Sequence, residues 1–284
     1  MTWDAATVDM IVVVSDTHLG TEDIGPGYAN RGAFTEFLCY VRDELQPDHL
    51  ILNGDIEDLW RRDMRSVTRD DFDVFAAFEE CSDRGIDVHY VLGNHDWYAR
   101  KDTAAGRRSF YETDYEPELV LEYGETTYAF VHGHQFDPGQ DPWYFDKLAL
   151  VSDDVIGASF SQKWAMYTEA RSYLSALKTA LKLYRDRITR GKLADRITRM
   201  DRCQTACDAR EQYREARRYV REEPDVDVIC TGHTHHAAII ADESVANSGS
   251  WVADETTFLI LEETPTLMDW NNGDPVEDTE RMEV

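Results

Sequence analysis

The chain has 284 residues, with 29 Lys and Arg against 56 Asp and Glu, giving a formal net charge of −27. That length allows one large domain or two small ones, and 42% hydrophobic with 11% aromatic residues excludes a disordered acidic tail protein. No apolar run approaches the roughly 18–20 residues that a membrane span needs.

Met1–Met10 carries Asp4 and Asp9 but no Lys or Arg, the wrong pattern for a secretory signal. The expected location is the cytoplasm. Lys supplies 6 of the basic residues and Arg 23, and so acidic a surface reads as adaptation to a salt-rich, halophilic cytoplasm. The 5 cysteines form no C-x-x-C pair, which argues for reduced thiols and against a disulfide frame or a thiolate zinc site.

From Met10 to Tyr128, short apolar runs alternate with helical stretches. Met10–Val14, His49–Leu52 and Val88–Leu92 are compact, rich in Val, Ile and Leu, and each ends in a polar cluster. Between them, Ala33–Leu45 places Phe34, Phe37, Leu38, Val41 and Leu45 on one helical face, and Asp71–Cys81 does the same with Phe72, Phe75 and Phe78. Strand–helix–strand repetition predicts parallel strands with helical crossovers. Later segments are short strands with tight connections: Leu119–Tyr123, Thr127–Val131, Val226–Cys230, Ala237–Ile240, Val245–Asn247 and Thr257–Leu261. They predict a second, mixed sheet. The fold class expected is α/β: two packed mixed β-sheets flanked by helices, a four-layer αββα sandwich with a helical insert. It forms a single domain over 1–284, the insert covering about 140–222 and a flexible acidic tail covering 271–284.

Chemistry-bearing residues follow one strand after another. Asp16 and His18 lie in D-T-H-L-G, Asp55 and Asp58 in N-G-D-I-E-D, and Asn94, His95 and Asp96 in G-N-H-D. His132 and His134 lie in H-G-H, and His233 and His235 in G-H-T-H-H. Strand carboxyl ends are where α/β proteins place their sites. One such cluster recurs by chance, whereas five in order are informative. Oxygen and imidazole donors without thiolate suit Mn²⁺, Fe²⁺, Zn²⁺ or similar ions. Two cations about 3.5–4 Å apart share a carboxylate, activate a bridging water and clamp phosphoryl oxygens. Alternate residues of an extended segment share a face, so D-x-H and H-x-H each aim two donors the same way.

At these residues the sequence resembles the calcineurin-like metallophosphoesterase superfamily, through D-T-H, G-D-x-x-D, G-N-H-D, H-G-H and G-H-T-H. The resemblance implies two divalent ions, Mn²⁺ first with Fe, Zn or Ni as alternatives. One would be held by Asp16, His18, Asp55 and His235, the other by Asp55, Asn94, His132 and His233, with Asp55 shared. His95 then matches the family's catalytic histidine that protonates the leaving oxygen, and Asp58 the carboxylate that orients it. The implied activity is hydrolysis of a phosphomonoester, phosphodiester or diphosphate by a hydroxide bridging the ions. G-D-I-E-D-L-W-R, H-G-H-x-x-D and the insert look most like the UDP-2,3-diacylglucosamine diphosphatase branch, which has Arg where His95 stands.

Other polar residues receive quieter readings. His89 and His236 are structural or surface groups, and Asp96 and Asp137 are supporting or capping groups. His134 lines a phosphate pocket or donates to a carbonyl. Asn247 or Ser250 touches substrate, and Arg61 or Arg62 grips a phosphate or forms a surface ion pair. Within 160–222 there are 16 basic and 8 acidic residues, against 13 and 48 elsewhere. Trp164, Tyr167, Leu174, Leu177, Leu181 and Tyr184 repeat at helical spacing there. This insert is expected either to pack its Arg residues against the body or to draw in a phosphorylated small molecule, a lipid-linked substrate, a membrane surface or nucleic acid. A nuclease acting on DNA or RNA ends and a catalytically silent interaction scaffold are the alternatives to a phosphoesterase.

Overall fold

The computed structural model describes residues 10–20, 29–59, 64–96, 99, 115–136, 209–240, 244–262, 264–271, 274–278 and 281–282. Strands β1 (Ile11–Val14), β2 (His49–Asn53), β3 (Asp87–Val91) and the two-residue β4 (Tyr115–Glu116) pair in parallel. Helix α1 (Arg31–Tyr40) runs into a π-turn at Val41–Leu45 and connects β1 to β2. Helices α2 (Met64–Asp70) and α3 (Phe72–Asp83) lie between β2 and β3. The crossovers come from spacing: Phe34, Phe37, Leu38 and Val41 fall on one face of α1 and are buried.

The second sheet holds β5 (Leu119–Tyr123), β6 (Thr126–Phe130), β7 (Val228–Thr231), β8 (Ala238–Ile240) and β9 (Val245–Asn247). The remaining strands are β10 (Thr257–Leu261), β11 (Pro265–Asn271), β12 (Asp274–Asp278) and β13 (Arg281–Met282). The first sheet runs β12-β11-β10-β1-β2-β3-β4 and the second β13-β8-β9-β7-β6-β5. Among the described residues, no helix is long and apolar enough to cross a membrane.

Strand alternation explains the layering. On β1, Val12 and Val14 face a core shared with Phe34, Phe37, Phe75 and Phe78 of the helices, whereas Ile11 and Val13 face the other sheet. Tyr128, Phe130, Val228 and Cys230 meet them from that second sheet. On the second sheet's far side, Ala129, Ile229 and Ile240 pack against a helix over 209–222, α4, through Ala209, Tyr213 and Ala216. Helix, sheet, sheet, helix is the four-layer order that the sequence predicts.

One expectation needs correction. β10 joins the first sheet, antiparallel to β1 with Ile11 opposite Leu261. Its Phe258 faces the helical core while Leu259 and Leu261 face the inter-sheet core, so it is apolar on both faces and fits a central position. Within the acidic tail from residue 271, the described residues add β12 and β13 as paired strands, which the sequence reading does not include. An edge strand takes its hydrogen bonds from backbone alone, so acidic composition does not oppose it, and Pro275 is tolerated at an edge. The sequence reading also misses α2, β4 and β11.

Residues 209–222 of the expected insert belong to the body, since Ala209, Tyr213 and Ala216 are buried. The rest of the insert, with Trp164, Tyr167, Leu174, Leu177, Leu181 and Tyr184, lies outside the described residues, as do Arg61, Arg62 and Asp137.

Trp251 is fully buried, its ring centroid 5.0 Å from Phe34 and 4.8 Å from Phe37. Trp251→Ala opens a large apolar cavity and is expected to cost about 3–5 kcal/mol. Urea unfolding measures this; a loss below about 1 kcal/mol would mean that the core collapses around the gap.

Candidate metal centre

Every chemistry-bearing loop leaves the carboxyl end of a strand: β1 for Asp16 and His18, β2 for Asp55 and Asp58, β3 for Asn94 and His95, β6 for His132 and His134, β7 for His233 and His235. Because β1, β2 and β3 are parallel in one sheet and β6 and β7 in the other, all five loops emerge on the same end of the sandwich.

The donors are not aimed by extended backbone. Asp16 has φ 53°, His18 47°, Asp55 54°, His233 68° and His235 54°. Left-handed non-glycine residues each cost about 1 kcal/mol or more and persist where surrounding structure over-determines them. Backbone bonds supply that constraint: Asp16 N donates to Gly54 O at 3.0 Å, His18 N to Asp55 O at 3.0 Å, and Gly232 N to His132 O at 2.8 Å. Asp16 and His18 of D-x-H do fall in one donor group, through left-handed backbone, whereas His233 and His235 of H-x-H fall in different groups. Close packing adds glycine requirements. A Cβ on Gly93 would strike the Asp55 carboxylate and amide, and one on Gly232 would strike Asp16 and Ser15.

Three overlapping three-residue groups emerge among the described residues, each with donor atoms within 4.8 Å of one another: Asp16, His18 and His235; His18, Asp55 and His95; and Asp55, His132 and His233. His235 Nε2 lies 3.2 Å from Asp16 Oδ1 and 3.2 Å from His18 Nε2. Asp55 Oδ2 lies 3.1 Å from His132 Nε2 and 3.9 Å from His18 Nε2, so it faces both rings. Asn94 is buried beside them in the β3 loop, and its Oδ1 has no hydrogen-bond partner among the described residues. His132 Nδ1 donates to Asn53 O at 3.0 Å, which fixes the tautomer and leaves Nε2 for the site. The other Asp55 oxygen accepts from His95 N at 2.8 Å, and Asp16 Oδ2 accepts from His233 N at 2.8 Å.

Burial opposes charge on Asp16, yet His132 and His235 outweigh it and lower its pKa to about 2. Asp55 is likewise held well below its ordinary value, against burial, by His132 and His95. Burial disfavours the His132 cation, but the Asp55 and Asp16 carboxylates raise its pKa to about 10. Burial pushes His18 the other way, toward the neutral ring. Buried carboxylates at this density need positive charge. A divalent cation supplies it, and oxygen and imidazole donors without thiolate suit Mn²⁺, Fe²⁺ or Zn²⁺. The residues fit a metal.

His95 shares one of these groups with His18 and Asp55, and it is also paired with a further carboxylate. Its Nδ1 is 3.1 Å from Asp58 Oδ1, its side chain is 16% exposed, and its ring meets His18 edge-on at 4.7 Å. Asp58 is buried, which raises a carboxyl pKa, but His95 and His18 keep it firmly ionised. Asp58 Oδ2 also faces His18 Nδ1 at 3.7 Å, so one carboxylate positions two rings.

The quieter candidates divide. Asp96 supports the loops as expected: it accepts from Gly93 N at 2.6 Å, Ile56 N at 2.9 Å and Tyr90 Oη at 2.7 Å. Burial and the charges of Asp55 and Glu57 raise its pKa to about 8. Glu57, fully buried and hydrogen-bonded by Tyr90, belongs to the same brace and was missed from sequence. Its place between Asp55 and Asp58 in G-D-I-E-D was the available signal. His134 is buried, with its ring centroid 5.7 Å from His132 and 6.2 Å from His233. Asn247 and Ser250 are buried too. The Asn247 amide donates to Gly232 O at 2.7 Å and Thr231 Oγ1 at 3.1 Å, which makes it an anchor of the H-x-H loop. His236 contributes its carbonyl, which accepts from Tyr213 Oη of α4.

Two stacked sheets with convergent oxygen and imidazole donors at one end define a metal-binding phosphoesterase architecture. The chain belongs to the calcineurin-like phosphoesterase family, whose profile matches residues 10–237. No curated protein matches the chain. Solved structures similar to it include a dimetal phosphatase from Danio rerio at 12% identity and TM-score 0.46, covering 95% of this chain and 98% of that one. They also include the phosphoesterase Yfce from E. coli at 13% identity and TM-score 0.44, covering 94% and 96%. Vacuolar protein sorting 29 from Cryptosporidium parvum is similar at 11% identity and TM-score 0.42, covering 95% of each chain.

Proposed function

We propose that this protein is a phosphoesterase that works with two divalent ions on a phosphorylated small molecule. The observation that carries the reading is a run of adjoining, overlapping donor groups in which Asp55 Oδ2 faces both His18 and His132. One ion would be held by Asp16, His18, His235 and Asp55, the other by Asp55, Asn94, His132 and His233. Such ions supply Lewis acidity toward phosphoryl oxygens and an activated water. Mn²⁺ is the first choice for this oxygen-rich set, with Fe²⁺, Zn²⁺ and Ni²⁺ as competitors.

The chain's own groups supply the rest. His95, partly open to solvent and held at Nδ1 by Asp58, presents Nε2 to the leaving oxygen and gives it a proton. Asp58 stays ionised and fixes the ring's orientation. The acidic composition keeps the body hydrated in a salt-rich cytoplasm, where screening leaves only close contacts to select substrate. Part of that selection falls to the basic composition of residues 160–222, which would attract an anionic or lipid-linked substrate, or a membrane surface.

A substrate panel tests the reading: an aryl phosphate, a bis-aryl phosphate, cyclic nucleotides, nucleotide-diphosphate sugars and oligonucleotides, each with Mn²⁺, Fe²⁺, Zn²⁺ or Ni²⁺ at high salt. Turnover of at least one ester is expected, lost on EDTA and restored by added metal. Silence across the whole panel would reject it in favour of an interaction scaffold. Turnover confined to oligonucleotides would make the protein a nuclease.

A further inference from the structure

At the opposite end of the sandwich His49 and His89 meet, with Asp87 beside His49, and none of the three has a part in the centre described above. His49 opens β2 and Asp87 opens β3, directly opposite it in register; His89 lies two residues along β3 on the same face. His49 Nδ1 is 3.1 Å from His89 Nε2 and 3.9 Å from Asp87 Oδ2. Four residues separate His49 from Asn53 at the other end of β2, about 13 Å along the strand. The loop that carries Asp55 begins only beyond that point, so these residues cannot share the ions of the first centre.

We propose that His49, His89 and Asp87 form a third metal site, which takes Zn²⁺ or another borderline divalent ion with water completing its shell. Two imidazoles on one zinc, each bonded at 2.0–2.1 Å in tetrahedral geometry, place their nitrogens about 3.3 Å apart. The observed 3.1 Å needs little adjustment. Asp87 is the group that moves, and its side chain is 75% exposed, so the carboxylate has room to swing toward the rings. Burial and the neighbouring His49 favour the neutral form of His89, the form that binds metal.

The surroundings hold the first ring as a ligand site requires. The Tyr123 ring meets His49 edge-on at 5.8 Å, and Tyr123 Oη donates to Asp48 Oδ2 at 2.6 Å. The same carboxylate oxygen accepts from Met10 N at 3.0 Å. Tyr123 ends β5, so this arrangement ties the lower edges of both sheets beside the candidate ion. A net charge of −27 raises the local concentration of any cation. The ion would strap β2 to β3 beside the end of β5, a structural role away from the chemistry.

Zinc per chain, measured after equilibration with Zn²⁺ and dialysis, tests the site in the unaltered protein and in His49→Gln and His89→Gln separately. Each variant is expected to hold one zinc fewer than the unaltered chain, with turnover of an aryl phosphate unchanged. Equal zinc content in all three overturns the proposal. The difference is read whatever number of ions the first centre holds and whether or not it hydrolyses esters, so failure of one proposal leaves the other standing. Should a variant fail to fold, electron paramagnetic resonance reads the unaltered protein instead, with its first centre filled by Zn²⁺ and substoichiometric Cu²⁺ added. Coupling to two nitrogens supports the site, and a spectrum without it overturns the proposal.

Discussion

His95→Ala is expected to lower turnover of an aryl phosphate by roughly 10²–10⁴-fold, the usual contribution of a positioned acid or base, while ion binding persists. The geometry separates the two effects. His95 supports the centre through its backbone, whose N–H donates to Asp55 Oδ1 at 2.8 Å, and alanine keeps that bond. What alanine removes is a ring whose Nδ1 lies 3.1 Å from Asp58 Oδ1 and which is partly open to solvent. Metal content by elemental analysis should therefore match the unaltered protein while kcat collapses. Asp58→Asn should fall less, by about 10–100-fold, because it loosens the ring without deleting it. Unchanged kcat in His95→Ala would remove His95 from the chemistry. Loss of ions with a folded chain would show it to be part of the metal support instead.

The strand ends were legible because each carries its chemistry directly after an apolar run: Ile11–Val14 before Asp16, Val228–Thr231 before His233. The outer layer of the first sheet was equally open to reading, since Phe34, Phe37, Leu38 and Val41 lie at helical spacing. Hidden features share a cause: they depend on partners distant in sequence. β10 is a short apolar strand, and nothing local distinguishes β1 from β9 as its neighbour. Left-handed backbone at Asp16 or His235 runs against propensity and exists because other loops impose it. Asp96 looks like an ordinary loop carboxylate until Tyr90 and Glu57 close around it. His49 and His89 are 40 residues apart and meet only through the register of β2 with β3.

Asp55→Asn is expected to have the larger effect on the centre as a whole. Asp55 is the carboxylate facing both rings, 3.1 Å from His132 Nε2 and 3.9 Å from His18 Nε2. The substitution keeps the shape, and Asn Oδ1 can still accept from His95 N, so the β3 loop should stay in place. It removes the negative charge and turns an NH₂ group toward the donors, where a cation would otherwise lie. At least one ion should be lost, and with it the several kcal/mol of charge stabilisation that a metal gives a phosphoryl transition state. That corresponds to a fall in kcat of about 10³-fold or more. A variant of Asp16 tests whether sharing matters. Asp16 faces His235 at 3.2 Å within one donor group and faces His132 only at 3.9 Å. Asp16→Asn should therefore cost one ion and spare most of the affinity for the other, whereas Asp55→Asn should weaken both. Elemental analysis and titration with Mn²⁺ distinguish the two. If Asp55→Asn leaves one ion bound with unaltered affinity, Asp55 serves a single ion and is not shared.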